Sequence, residues 1–122
     1  MNTTALDVLK EASDLLSDPE RWTQRTYAED ADGFDVAPQH PAACRWCAIG
    51  ALRRKFGTDN LLDDQVSIAI EILVESSYDL FFRPITSVND DSAHAHSNVL
   101  QCYREAIERH DSWIAAERAS QS

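Results

Sequence analysis

The feature of the sequence that most restricts its fold is a long apolar segment between residues 63 and 79. Seven of the nine residues from 66 to 74 are Val, Ile, Leu or Ala. A helix that is apolar on nearly all sides is buried within a protein. Asp63 and Asp64 suit the N-terminal end of such a helix, where the helix dipole favours negative charge. The sequence therefore predicts a central helix over residues 63–79.

A second helix is predicted near the N-terminus. Thr3 or Thr4 can cap it, because a threonine hydroxyl accepts a hydrogen bond from the first turn. The Asp18-Pro19 pair ends it, since the residue before a proline avoids the helical conformation. Between these limits, apolar residues recur at helical spacing and form one stripe: Ala5, Leu6, Val8, Leu9, Ala12, Leu15 and Leu16.

Another helix is predicted over residues 42–56, after a connector that contains Pro38 and Pro41. Gly57 is a natural C-terminal cap for it. Gly50 lies in the middle of this helix, where glycine costs about 1 kcal/mol relative to alanine. We therefore expect Gly50 to permit the close approach of another element.

Between the first two helices the sequence predicts a short β-hairpin. Its first strand covers residues 22–28, which are rich in aromatic residues and threonine. Residues 30–33 (Asp-Ala-Asp-Gly) supply a turn, and residues 34–36 form the returning strand. A hairpin alone is marginally stable in water, so it is expected to lie against the helices.

A last helix is predicted from about residue 92 to as far as residue 119, with an alternative in which residues 110–112 break it. Residues 80–91 form the connector before it. The fold class predicted is mainly α: a single-domain bundle of about four helices over residues 1–122, with a short hairpin between helices 1 and 2. Residues 1–2 and 118–122 are expected to fray.

The 122-residue chain carries a net charge of -10. Phosphate repels such a chain, so direct binding to nucleic acid or to an anionic membrane is not expected. Residues 36–57 contain four basic and no acidic residues, and we expect their charges to pair with the acidic segments on either side. Three cysteines without a leader segment indicate reduced thiols and a cytoplasmic location, and no apolar run is long enough to span a bilayer.

Cys44 and Cys47 form a C-x-x-C pair, which in other contexts supports redox chemistry or metal binding. No strand leads directly into the pair, so two buried apolar side chains are the favoured interpretation. A zinc site built from Cys44, Cys47, Cys102 and one of His40, His94 or His96 is the alternative. The acidic run at residues 30–35 lacks the glycine and glutamate positions of a calcium loop. No cofactor is predicted.

Several short segments resemble one known family. These are Trp22, Ala28-x-Asp30-x-x-Gly33, Trp46-Cys47-x-x-Gly50-Ala51-Leu52 and Ser87-Val88-Asn89-Asp90. Together they resemble domain of unknown function 6197, which occurs in bacterial and phage proteins, over roughly residues 6–107. The resemblance implies a small, mostly helical intracellular domain without an established activity, and it carries no catalytic or binding residue. Asn89-Asp90 is expected to cap the final helix or to hold the connector through side-chain hydrogen bonds.

The function predicted first is that of an acidic protein of phage or mobile-element type. Its carboxylates would imitate a nucleic-acid backbone and occupy a basic groove on a host protein as an inhibitor. The expected contact residues lie on the first helix and on the hairpin: Asp7, Glu11, Asp14, Asp18, Asp30, Asp32 and Asp35.

Two alternatives stay open beside it. One is a small cysteine-dependent or metal-supported enzyme centred on Cys44 and Cys47, with His40 or His96 as the partner. The other is a homodimer formed through Trp113 and Ile114. The expected partner is thus a protein, and the chain itself is expected to be a monomer or a homodimer.

Overall fold

A computed structural model describes residues 3–91 and 93–120, and side chains as far as residue 110. Within these residues the chain is mainly α-helical, as predicted. Its elements, in order, are α1 (Ala5–Leu16), a 3-10 turn (Pro19–Arg21), β1 (Ala28–Glu29), β2 (Arg45–Trp46), α2 (Ala48–Arg53), α3 (Asn60–Phe81), α4 (Ile85–Asn89) and α5 (Ala95–Ser120).

The core lies where α1, α3 and α5 pack against one another. It is made of fully buried side chains from all three helices, with α2 and α4 closing it. Burying a Leu, Ile or Val side chain stabilises a fold by about 1.5–3 kcal/mol, so this cluster dominates the stability of the domain. Its largest members include Leu9, Leu16, Val66, Leu73, Val99 and Tyr103.

The predicted N-cap of helix α1 is confirmed, and the capping residue is Thr4. The Thr4 side chain accepts a hydrogen bond from the Asp7 backbone N–H, and the Asp7 carboxylate accepts one from the Thr4 backbone N–H. This reciprocal pair is a capping box, which satisfies two backbone donors at the start of a helix. The helix ends at Leu16, and Asp18 then caps the 3-10 turn that begins at Pro19.

The two-stranded antiparallel ribbon between α1 and α2 is confirmed, but its strands differ from those predicted. Ala28 and Glu29 pair with Trp46 and Arg45. The turn at residues 30–33 does form, with Gly33 at a φ of 86°, and the predicted return strand contributes only a bridge between Glu29 and Asp35. The main partner of β1 is instead β2, which lies about ten residues after the turn. The Cys44 N–H, just before β2, also donates to the Glu29 carbonyl.

The helix predicted over residues 42–56 is shorter than expected and begins only at Ala48. The reason is that residues 44–47 are extended and hydrogen-bond to β1 and the residue before it: the Cys47 N–H donates to the Tyr27 carbonyl at 3.2 Å. These strand contacts outweigh the helical spacing of residues 42–47. Gly57 adopts a positive φ of 91° but does not cap α2, because the helix ends at Arg53 and Arg54 is its C-cap.

The connector over residues 80–91 contains an additional short helix, α4, which starts directly after Pro84. Helix α5 runs without a break at residues 110–112 as far as Ser120.

The predicted pairing through Trp113 and Ile114 concerns side chains outside the described part. Residues 1–2 and 121–122 also lie outside it, so the fraying of both ends stays a prediction. No helix among the described residues has the length and apolarity needed to cross a bilayer.

Candidate functional site

The side chain of Asn89, at the end of α4, joins three separate segments of the chain. Its Oδ1 accepts hydrogen bonds from the Trp22 indole N–H at 2.8 Å and from the Ala48 backbone N–H at 2.9 Å. Its Nδ2 donates to the Thr23 carbonyl and to the Asp90 carboxylate, both at 3.1 Å. The amide thus uses both donors and accepts twice while 1% exposed, so it fixes the relative positions of these segments.

The segment after Trp22 is held to the same end of α4 by two more contacts. Gln24 Nε2 donates to the carbonyls of Asn89 and Asp91, at 3.0 and 2.7 Å. The backbone N–H of Arg25 donates to Asp90 Oδ1 at 2.8 Å. Arg25 has a φ of 68°, a left-handed conformation that is uncommon outside glycine. The Asp90 hydrogen bond helps to hold the backbone in this conformation.

These contacts form one wall of a cleft of about 320 Å³. The start of α2 and the exposed Thr86 of α4 also line this cleft. The lining thus contains apolar side chains together with a few charged and hydroxyl groups, a combination that ligand sites use. Its lining residues include Tyr27, Cys47, Ile49 and Asp90.

Cys47 lines this cleft and is the N-cap of α2, where its Sγ accepts a hydrogen bond from the Gly50 N–H at 3.3 Å. Burial raises the pKa of the Cys47 thiol above its usual value of 9.0. The thiol is therefore protonated at neutral pH, whereas a nucleophilic cysteine needs a thiolate. No histidine is among the residues that line this cleft. Both features disfavour Cys47 as a nucleophile.

The sulfur and imidazole groups considered for zinc lie in different surroundings. Cys102 is fully buried on α5, and burial raises the pKa of its thiol to about 11. His40 is exposed and accepts a hydrogen bond from the Ala42 N–H. His96 Nε2 lies 2.7 Å from the Leu16 carbonyl, with its ring beside Trp22. Among the described side chains, no group of three or more His, Cys, Asp and Glu residues is placed to hold a metal ion.

The four basic residues between 36 and 57 are engaged within the fold. Arg45 pairs with Glu29 at 2.5 Å, and Lys55 pairs with Glu11 at 2.8 Å. The predicted pairing with the acidic segments is therefore confirmed for these two. Arg53 and Arg54 instead lie over aromatic rings, Arg53 over Tyr27 and Phe56 and Arg54 over Trp46. Such cation–π contacts stabilise a half-buried guanidinium without a carboxylate.

The seven acidic residues predicted to bind a partner divide into two groups. Four of them are occupied in the fold. Asp7 and Asp18 cap helical turns, Asp30 Oδ1 accepts the N–H groups of Asp32 and Phe34, and Glu11 binds Lys55. Asp14, Asp32 and Asp35 form the second group, and their side chains are exposed to solvent, as are those of Asp7, Glu11 and Asp18.

Sequence reasoning assigned Asn89 to a cap or to the connector, and the connector role is the correct one. Its contacts with Trp22 and Ala48 were not predicted. The cleft itself was missed. No local pattern indicates it, because its walls come from residues 25–27, 47–49 and 86–90.

Fold and site together define a small, mainly helical domain whose loops are held by a buried asparagine. The chain belongs to a family of unknown function (DUF6197), whose model matches residues 1–109. No curated protein and no solved structure matches it.

Proposed function

We propose that this domain acts as a non-enzymatic binding protein in the cytoplasm, where it occupies the basic, nucleic-acid-binding surface of a protein partner. A phage or mobile-element origin and an inhibitory role fit this activity, since occupying such a surface blocks the nucleic acid from binding. Carboxylates spaced over a rigid domain can replace backbone phosphates in a groove lined by Lys and Arg.

The observation that carries the proposal is the arrangement of charge. The basic residues of the 36–57 segment contact acidic or aromatic side chains of the same chain. The net charge of -10 is therefore presented to solvent mainly by exposed carboxylates, among them those of Asp14, Asp32 and Asp35. Asp32 and Asp35 follow one another around a turn that Asp30 holds in place, so little ordering is required on binding.

The test uses heparin-binding bacterial proteins as a defined set of basic partners. Immobilised wild-type domain is expected to retain one of them, and duplex DNA is expected to displace it. Retention is expected to fall as salt is raised, because ion pairs at a surface are screened.

Two variants with the same change in charge provide the comparison. Asp32→Asn combined with Asp35→Asn is expected to weaken retention. Glu20→Gln combined with Glu108→Gln removes two exposed acids elsewhere and is expected to leave it unchanged. Equal retention by both variants, or retention that DNA does not compete with, contradicts the proposal.

A cysteine-dependent activity is the second candidate, because Cys47 lines the cleft. Alkylation of the native protein at pH 7 tests it. The binding-protein proposal expects Cys47 and Cys102 to react only after unfolding, since both are buried and protonated. Alkylation of native Cys47 that is faster than alkylation of the unfolded chain would favour the enzyme instead.

A further inference from the structure

The side of α3 that faces away from the core carries an unusual set of apolar side chains. Leu61 is 70% exposed, Ile68 40%, Tyr78 49% and Phe82 87%. Single exposed apolar residues are common on protein surfaces, but four on one helix require an explanation. Leu61, Ile68 and Phe82 lie at multiples of seven positions, and Tyr78 lies one turn before Phe82.

With 3.6 residues per turn, these four residues fall within an arc of roughly 100°. That arc is opposite the buried side of the helix, which is formed by Val66, Ala69 and Leu73. Four exposed acids share the same arc, and one of them, Asp79, pairs with Arg109 of α5. We call this surface the outer face of α3, and it consists of Leu61, Asp64, Ile68, Glu71, Glu75, Tyr78, Asp79 and Phe82.

The outer face extends over 21 positions, which is about 31 Å along the helix axis. Residues seven apart drift by roughly 20° per repeat, so the apolar row is slightly slanted. A second helix follows such a row when it crosses α3 with a left-handed twist, as helices in coiled coils do. The dimensions of the outer face therefore match a partner helix of about six turns.

Charge decides which helix fits. Asp64, Glu71 and Glu75 lie between the apolar ends of the row, and α3 contains no Lys or Arg. A second copy of this chain would bring acids against acids if it used the same face, which is unfavourable. A partner helix with Lys or Arg beside its apolar row would instead form ion pairs along the contact.

Phe82 contributes a further observation. It ends α3 in the left-handed conformation, with φ at 59°, while its N–H donates to the Tyr78 carbonyl at 2.9 Å. A bulky side chain in this conformation is an outlier, because Gly or Asn serves the position at lower cost. The helix end thus presents an exposed aromatic ring where a smaller polar residue would stabilise it better.

We propose that the outer face of α3 docks a basic amphipathic helix of a protein partner. This inference goes beyond the proposed function, since it places the contact on α3 rather than at the acidic turn and takes the sign of the partner's charge from the acids of the outer face. The apolar row supplies contact area, and the acids select against acidic helices and against self-association.

The probe for the test is a labelled 22-residue peptide with Leu at heptad positions and Lys at the flanking ones. Its affinity is measured by fluorescence anisotropy, and a peptide with Glu in place of Lys is the control. The Lys peptide is expected to bind and the Glu peptide is not. Amide chemical shifts of the labelled domain are expected to change along α3, at Leu61, Ile68, Glu75 and Phe82.

The variant Leu61→Ser with Phe82→Asn is expected to weaken the Lys peptide about tenfold, which is typical for loss of apolar anchors. Both residues are highly exposed, and Asn suits the left-handed conformation, so the fold should be retained. Glu71→Gln with Glu75→Gln is expected to reduce the salt dependence of binding. Phe34→Ser removes another exposed ring, 69% exposed at the acidic turn, and is expected to have no effect.

Three results would overturn the inference. The first is unchanged affinity in the Leu61/Phe82 variant. The second is loss of affinity in Phe34→Ser with shift changes around residues 30–35, which would leave the acidic-turn proposal standing. The third is sedimentation of the wild-type chain as a dimer that the Leu61/Phe82 variant converts to a monomer.

Discussion

A Cβ atom on Gly50 would lie 1.8 Å from the backbone oxygen of Tyr27. Helix α2 thus packs directly on the backbone that leads into β1, and only glycine permits this approach. The same Tyr27 oxygen accepts the hydrogen bond from Cys47 N–H that extends the ribbon. The segment Trp46-Cys47-x-x-Gly50 therefore combines one strand contact with one close helix contact.

We expect Gly50→Ala to destabilise the domain by about 3 kcal/mol, because the new methyl group meets backbone that cannot rotate away. Gly57→Ala is the control. Its Cβ would meet nothing within 4 Å, so the cost is only the strain of an alanine at a φ of +91°, about 1–2 kcal/mol. Urea unfolding of both variants measures the difference, and an equal loss in the two would refute the close-packing explanation.

Asn89→Asp is expected to lower the free energy of unfolding by about 3 kcal/mol at pH 7, although the two side chains have nearly the same shape. The change replaces the Nδ2 donor by an acceptor that faces the Thr23 carbonyl and the Asp90 carboxylate. The introduced carboxyl group can donate again once it is protonated, so part of the lost stability should return as the pH is lowered. Asn98→Asp, on the half-buried side of α5, is the control and should show a small, monotonic effect in the same urea titrations.

Thr4→Ala is expected to cost about 1 kcal/mol, which is the usual value of an N-cap. Thr3→Ala changes a neighbouring exposed threonine outside the capping box and should be nearly neutral. The capping contact with Thr4 also lowers the pKa of Asp7 below 3.8. The larger cause is the bond that the Asp7 carboxylate accepts from the Thr4 backbone N–H, which Thr4→Ala retains, and the smaller is the bond from the Thr4 hydroxyl. The hydroxyl contribution is present above about pH 4 and is lost as the pH falls further, whereas the bond from the Asp7 N–H to Thr4 Oγ does not titrate. The difference between the two variants should therefore become smaller in acid without vanishing when unfolding is followed against pH.

The alkaline limit of stability is expected to depend on Cys102. Its thiol has a pKa of about 11 in the folded chain, against 9.0 when unfolded, because it is buried. Above pH 9 the unfolded chain releases this proton and the folded chain keeps it, so stability falls as the pH rises. By pH 11 the loss from this thiol is about 2 kcal/mol. Cys102→Ala should be less sensitive over this interval, and a constant difference from wild type at all pH values would contradict the assignment.

The helices were predictable where a local signal set their limits. Thr4 and Asp18-Pro19 limit α1, and the apolar run at 66–74 identifies α3. The extended residues 44–47 were not predictable, because their partner, β1, is distant in the sequence and both strands are only two residues long. In a stretch as short as residues 44–47, the spacing of apolar residues is the same for a strand and for the first turn of a helix. Only one side chain of β2, that of Trp46, is buried, so the spacing could not identify the strand.

The prediction that the bases of residues 36–57 pair with acids is confirmed for Arg45 and Lys55. The other two bases, Arg53 and Arg54, lie over aromatic rings. The sequence contains both kinds of partner, and nothing in the order of residues assigns Arg53 to Tyr27 rather than to an acid. The acidic residues show the same division. Capping and turn roles for Asp7, Asp18 and Asp30 follow from local patterns that are visible once the helix and turn limits are known.

The sequence by itself determined the helical class, the N-cap of α1 and the excess of negative charge, because these depend on neighbours within about four residues or on composition alone. Only the tertiary structure decided that Asn89 bonds to Trp22 and Ala48, that Cys47 lines a cleft, and that one face of α3 is left outside the core. Each of those depends on contacts between residues far apart in the sequence, which packing of the whole chain brings together.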